Sequence, residues 1–204
     1  MTLNLDDRSG PSMPSVPLIL ASQSPRRKEL LREAGYSFKV ILPEDHAESP
    51  PRPGESPHDS VLRIATEKAE NVAQRVDHGL IIAGDTLAEL DGNPLGKPRD
   101  RDHAREILHS LRGREHFVWT AIALWLRPQD QTIRGIDQTI VRMSDLADQE
   151  IESYLDTGLW KGKAGAFGIQ DRTGWVNVVR GSESNVVGLP LELLSELLIQ
   201  VTHD

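Results

Sequence analysis

The segment Ser22-Gln23-Ser24-Pro25-Arg26-Arg27 puts two hydroxyls and two guanidinium groups within six positions. It follows the apolar run Leu18-Ile19-Leu20-Ala21 and opens a helical pattern that reaches Ala34 and stops at Gly35. Ser24 reads as the N-cap and Pro25 as the first helical residue. A helix N-terminus favours acids, because its free N–H groups and aligned peptide dipoles make it positive. Two arginines there conflict with local preference unless an anion neutralises them, and such conflicts tend to mark function. Backbone N–H groups, serine hydroxyls and guanidinium forks would together hold phosphate oxygens. Two solvated arginines on a helix would look the same in sequence.

Other segments carry compatible chemistry. Lys68 falls inside the apolar stripe of a second helix, formed by Val61, Ala65, Ala69, Val72 and Val76, and must reach water or meet an anion there. Asp85 closes the apolar strand Leu80 to Ala83 in the sequence Gly84-Asp85-Thr86. Open α/β sheets place ligands at strand ends, and a carboxylate there could hold a divalent metal or orient a water. Gly96-Lys97-Pro98 adds a lysine without the spacing of a P-loop. The loop Lys163 to Gln170 adds another lysine, small flexible positions and the Gln170 amide, whose donor and acceptor could read a base edge. The seven histidines have no metal-ligand spacing and read as surface or core residues; the four tryptophans read as packing.

These groups need a scaffold. Phe38 to Leu42 reads as a strand, and residues 43–57 as an irregular loop rich in proline and acids. Ser56-Pro57-His58-Asp59 opens the second helix, and Asp91-Gly92 signals a hairpin. Asp100 caps a third helix that ends at Gly113. Phe117 to Leu126 is a long strand that Thr139 to Met143 pairs with across a polar connection. A short helix from Glu150 to Thr157 stops at Gly158, Trp175 to Val179 is a strand, and Pro190 opens a leucine-rich final helix. The alternation predicts an α/β fold with a central mixed β-sheet flanked by helices.

A chain of 204 residues can bury about 70% of its unfolded surface without staples. It has no cysteine, which excludes disulfides, thiolate zinc sites and cysteine nucleophiles and suits a reducing compartment. A net charge of -8 disfavours duplex nucleic acid as a partner but not a small anion in a local basic pocket. Met1 to Pro17 lacks the basic start and apolar run of a signal peptide and reads as a flexible tail before a single domain over 18–204. No run has the length of a membrane span, so a soluble, cytoplasmic protein is expected.

In order along the chain, these segments resemble the motifs of the Maf family, also called septum-formation inhibitors. The SxSPRRxELL motif stands as Ser22 to Leu31, the EKA context as Glu67-Lys68-Ala69, and (A/G)DT as Gly84-Asp85-Thr86. GKP stands as Gly96-Lys97-Pro98, KAGAYGIQ as Lys163 to Gln170 with Phe167 for tyrosine, and VxGLP as Val186 to Pro190. The resemblance implies an elongated, two-lobed α/β fold related to inosine-triphosphate pyrophosphatases, with a cleft, in an enzyme often found as a homodimer. It implies metal-dependent hydrolysis of a nucleoside triphosphate to a monophosphate and pyrophosphate. Ser22, Arg26, Arg27, Lys68 and Lys97 would then bind the triphosphate, and Gln170 would lie near the nucleotide. Asp85 would be the catalytic base or a metal-linked carboxylate. A second metal carboxylate would come from the acidic loop, at Glu48 with Asp45 as the competing position. Oxygen ligands of this kind suit magnesium or manganese. The combination of SPRR, (A/G)DT and GIQ resembles the family branch acting on dTTP and UTP. An inosine-triphosphate-type pyrophosphatase and a non-catalytic nucleotide sensor of cell division are the competing readings. Gly162 stands where the family usually has aspartate, and Asp171 where it usually has glycine.

Overall fold

The computed structural model describes residues 16–171 and 174–203. The expected tail therefore lies outside the described residues, apart from its last two. Seven strands form one sheet: β1 (Leu18–Leu20), β2 (Phe38–Val40), β3 (Gly79–Leu90), β4 (Asn93–Leu95), β5 (Glu115–Arg127), β6 (Gln131–Met143) and β7 (Val176–Arg180). Their order is β2-β1-β3-β5-β6-β7, with β4 pairing β3. The β1 neighbours are parallel and all other pairings antiparallel, so the sheet is mixed as expected. The helices are α1 (Pro25–Glu33), α2 (Pro57–Ala73), α3 (Arg101–Leu111), α4 (Asp148–Thr157), α5 (Glu183–Val187) and α6 (Leu191–His203). No helix among the described residues is long and apolar enough to cross a membrane.

Strand alternation divides the core. Leu20, Leu80, Ile82, Ile122 and Leu124 point to one face, where Leu31 of α1 and Leu194, Leu197 and Leu198 of α6 cover them. Ile19, Ala21, Ile81, Ala83, Ala121 and Ala123 point to the other, against Val61, Ala65, Ala69 and Val72 of α2. Alanine on both sides of that contact lets the helix lie close to the sheet. A third core gathers Leu90 and Met143 at the far ends of β3 and β6 with Leu108 and Leu111 of α3 and Ile151 and Leu155 of α4. Two cores at one end of the long strands and a third at the other make the two lobes.

Two strands run longer than their sequences suggested. β3 does not end at Ala83: it pairs with β5 from Gly79↔Arg127 to Glu89↔Phe117, carrying Gly84-Asp85-Thr86 straight through the sheet. A continuous antiparallel neighbour overrides the turn character of that tripeptide. β6 likewise begins at Gln131, because its polar half pairs with β5 while staying only half-buried. The Asp91-Gly92 hairpin forms as expected, with φ of 53° and 79°.

The short α5 was not apparent in the sequence, and a polar network fastens it to the sheet. Asn185 Nδ2 donates to Val118 O at 3.0 Å and to Thr139 Oγ1 at 2.8 Å, and Thr120 Oγ1 donates to Asn185 O at 2.9 Å. Gly181, at φ +109°, lets the chain pass over Thr139, and a Cβ there would stand 2.4 Å from Thr139 Oγ1. Gly181→Ala is therefore expected to cost about 2–4 kcal/mol, through backbone strain and overpacking together. Urea denaturation would measure it; a change below about 0.5 kcal/mol would refute this account of the crossing.

Candidate active site

β1 ends at Leu20 opposite Ile82, and β4 joins β3 only at Ala88. Between them the β3 edge has no strand partner among the described residues. A cleft of about 630 Å³ opens at this gap and passes between the lobes. Its walls bring together Ser22, Arg26, Arg27, Glu48, Lys68, Asp85, Lys97 and Gln170, from six separate segments of chain.

Arg26 and Arg27 behave differently. Ser24 caps α1 through the Arg27 N–H at 3.4 Å, and the first turn holds no acid. The Arg27 guanidinium turns inward: Nε donates to Gly188 O at 2.7 Å, one terminal nitrogen to Ser22 Oγ at 3.2 Å, and the other to Thr86 Oγ1 at 3.0 Å. Burial pulls its pKa below the ordinary value, the Asp85 charge partly restores it, Arg26 opposes and Glu48 assists. Three of its five N–H donors are thus engaged in holding elements together. Arg26 instead leaves a buried Nε with no partner among the described residues.

On the α2 side, Lys68 donates to Asp85 Oδ1 at 2.8 Å and pairs with Glu48 Oε1 at 3.0 Å. The lysine in the apolar stripe has met its anions and is only 13% exposed. The neighbouring Glu67 fixes the acidic loop, accepting from Ser49 N at 2.9 Å and Ser49 Oγ at 2.6 Å. Burial opposes its charge, but the bonds from Ser49 and Arg63 prevail and hold its carboxyl below the usual range. Arg63 also bonds Glu55 at 2.7 Å. The loop is thereby pinned after residue 48, and before it Glu44 N donates to Asn71 Oδ1 at 3.0 Å; Glu48, not Asp45, shares the Lys68 ammonium with Asp85.

The opposite wall is the segment from Lys163 to Asp171, which forms two 3-10 turns. Gly165 adopts φ +69° and packs its backbone on Ala88, where a Cβ would lie 3.2 Å away. Phe167 stacks on Trp175 at 5.8 Å and meets Tyr154 at 5.4 Å. Asp171 forms an ion pair with Lys163 and accepts from the Tyr154 hydroxyl at 2.7 Å. Burial, and then Asp171, push the Tyr154 phenol up, so it remains a donor. The Asp171 charge is therefore directed at Lys163 and Tyr154, while Gln170 is exposed at the cleft. Lys97, after β4, is exposed with no polar partner among the described residues.

The sequence profile of the family described as Maf-like protein matches residues 17–201. The chain belongs to that family. Among its relatives, a dTTP/UTP pyrophosphatase from Rhodopirellula baltica is 50% identical over 182 residues, covering 89% of this chain and 80% of the relative. A dTTP/UTP pyrophosphatase from Dictyoglomus thermophilum is 40% identical over 184 residues, covering 89% and 94%. A HAM1 protein structure from Coxiella burnetii superposes with a TM-score of 0.50 at 17% identity, covering 91% of this chain and 99% of that one, which is a likeness of fold alone.

All the Maf motifs thus face one cleft, but two of their residues occupy unforeseen settings, as does one residue outside them. Asp85 lies within β3 and not at a strand end. Arg27 is a buried fastener joining α1, β3 and the loop after α5. Gly188, at φ +116°, is required by that contact: a Cβ would stand 3.2 Å from Thr86 Oγ1. His116, read as an ordinary surface or core residue, lines the far end of the cleft with its Nδ1 buried and unpartnered. Isolated histidines carry no spacing signal, and only the strand register reveals its position.

Two outcomes follow. Arg27→Ala should cost about 2–4 kcal/mol in stability, because buried acceptors lose their donors, whereas Arg26→Ala should cost under about 1 kcal/mol. Thermal melts of both variants test this, and equal losses would contradict the division of roles. Burial also lowers the His116 pKa from 6.5 to about 4, against a smaller raising effect from the Arg114 backbone. Between those values the unfolded chain binds more protons, so this contribution is full above about pH 6.5 and is lost as pH falls towards 4. It amounts to at most about 3 kcal/mol. His116→Phe should lose less stability than the parent between pH 7 and 4.5, and parallel pH profiles would refute the assignment.

Proposed function

We propose that this chain is a nucleoside triphosphate pyrophosphatase acting on dTTP and UTP in the cytoplasm, with magnesium or manganese as its divalent cation. The observation that carries the reading is the convergence, across one cleft, of Asp85 held by Lys68 beside Glu48 with Arg26, whose buried Nε has no partner among the described residues. The relatives carrying the dTTP/UTP pyrophosphatase name support the substrate class.

The chemistry follows from charge. A triphosphate brings about four negative charges near neutral pH, which cationic groups must offset before a nucleophile can approach. Arg26, through its guanidinium and its own N–H in the first turn of α1, and Lys97 would grip the outer phosphates, which become the leaving pyrophosphate. Lys68 would neutralise charge near the α-phosphate. Asp85 would take a proton from the attacking water as the new oxygen–phosphorus bond forms and the bond to the bridging oxygen breaks.

Glu48 and Asp85 also fit a hard divalent cation. Both present carboxylate oxygens to one point, now shared by the Lys68 ammonium. The described residues hold no cluster of three or more acidic, histidine or cysteine side chains suited to a metal, so substrate oxygens and water would complete the shell, the usual arrangement for magnesium. Such an ion would polarise the phosphate and lower the pKa of water. At the other end, the Gln170 amide could donate a hydrogen bond to a carbonyl of uracil or thymine.

Asp85→Asn keeps the size and removes the charge. It is expected to reduce kcat by about 10²-fold or more while nucleotide binding survives. Turnover of dTTP, UTP, CTP and ITP with product chromatography tests the whole reading. Near-normal turnover in Asp85→Asn would remove the catalytic role. Release of a diphosphate with orthophosphate would remove the pyrophosphatase chemistry, and dominant purine or CTP turnover would remove the substrate assignment.

A further inference from the structure

The far end of the cleft differs from the phosphate end. His116 is 6% exposed on β5, and its buried Nδ1 has no hydrogen-bond partner among the described residues. Leaving a buried polar atom unpaired costs about 1–3 kcal/mol, and such an atom in a cleft calls for an explanation. Strand register places Val141 opposite His116 and Ala88 opposite Val118, and all four line the cleft together with Met143. Apolar walls around one ring nitrogen suit a flat heteroaromatic ring and offer nothing to a phosphate.

The spacing also fits. Thr120 contacts Thr86 at 3.0 Å, and Thr86 accepts from Arg27. His116 lies four residues from Thr120 on the same face of β5, roughly 13 Å along the strand. A triphosphate gripped at α1 would extend its base towards this end.

We infer that His116 is a specificity-determining residue of the nucleobase subsite, its unpaired ring nitrogen accepting a hydrogen bond from the N3–H of uracil or thymine. This rests on the pyrimidine triphosphate reading given above. Burial keeps the imidazole neutral, and the Arg114 backbone favours a proton on the ring. A neutral imidazole carries one N–H, so with that proton on Nε2 the unpartnered Nδ1 presents a lone pair. Cytosine has a lone pair at N3, and two lone pairs face to face leave both unsatisfied. A subsite built around such a bond rejects a base that cannot make it far more strongly than apolar contact could.

The test compares kcat/KM for UTP, dTTP and CTP in the parent, His116→Phe and His116→Asn, with pyrophosphate inhibition as a readout of the phosphate end. His116→Phe should lose at least about tenfold on UTP and dTTP, with CTP turnover and pyrophosphate inhibition unchanged. His116→Asn, which keeps an acceptor oxygen, should recover part of the loss. The parent should turn over N3-methyl-UTP at least about tenfold more slowly than UTP. This last measurement decides the matter if His116→Phe fails to fold, and equal rates would overturn the inference. An unchanged UTP-to-CTP ratio in folded His116→Phe, or equal losses on all three nucleotides, would overturn it while leaving the proposed function standing. A parent that turns over no pyrimidine triphosphate would overturn both.

Discussion

A guanidinium taken out of water must be met by oxygen around its rim, and at Arg27 that requirement governs the shape of the cleft. The oxygens come from Ser22 at the end of β1, Thr86 inside β3 and Gly188 after α5. The farthest of them, Gly188, lies 161 positions from Arg27 in the chain. Each can be correctly placed only when the others are. The positive φ of Gly188 and the fastening of α5 through Asn185 both serve to bring a backbone carbonyl to the buried charge. Arg26 carries no such duty, and its buried Nε has no partner among the described residues.

The cleft exists because neighbouring strands have unequal lengths. β3 outruns β1, and β4 begins too late to cover the gap. Strand alternation then separates the labour within adjacent residues: Asp85 turns to Lys68 on the α2 side, and Thr86 turns to Arg27 on the other. A single edge thus presents a carboxylate on one face and the arginine contact of a threonine on the other. Glu67 extends the same economy to α2, tying down Ser49 while its neighbour Lys68 reaches across to Glu48.

Much of this was legible in the sequence. The order of elements, the α1 cap at Ser24, the Asp91-Gly92 hairpin and the α2 stripe all follow from local chemistry that tertiary contacts did not override. Lys68 was legible as a charge in an apolar stripe, because few settings satisfy such a residue. The polar half of β6 was not legible, since its partner supplies the order that its composition lacks. The inward turn of Arg27 was not legible either. Its sequence environment equals that of Arg26, and only acceptors distant in the chain distinguish them. His116 required the register of two strands before its neighbours could be known.

The charge balance of the segment from 162 to 171 rests on one carboxylate, Asp171. Where the family usually sets an aspartate beside the loop lysine, this chain has Gly162, and the carboxylate paired with Lys163 comes from Asp171, a usual glycine position. Either change made alone would have left the lysine with two counterions or none. A loop grafted between relatives would therefore keep its charge balance only when both of its ends travel with it.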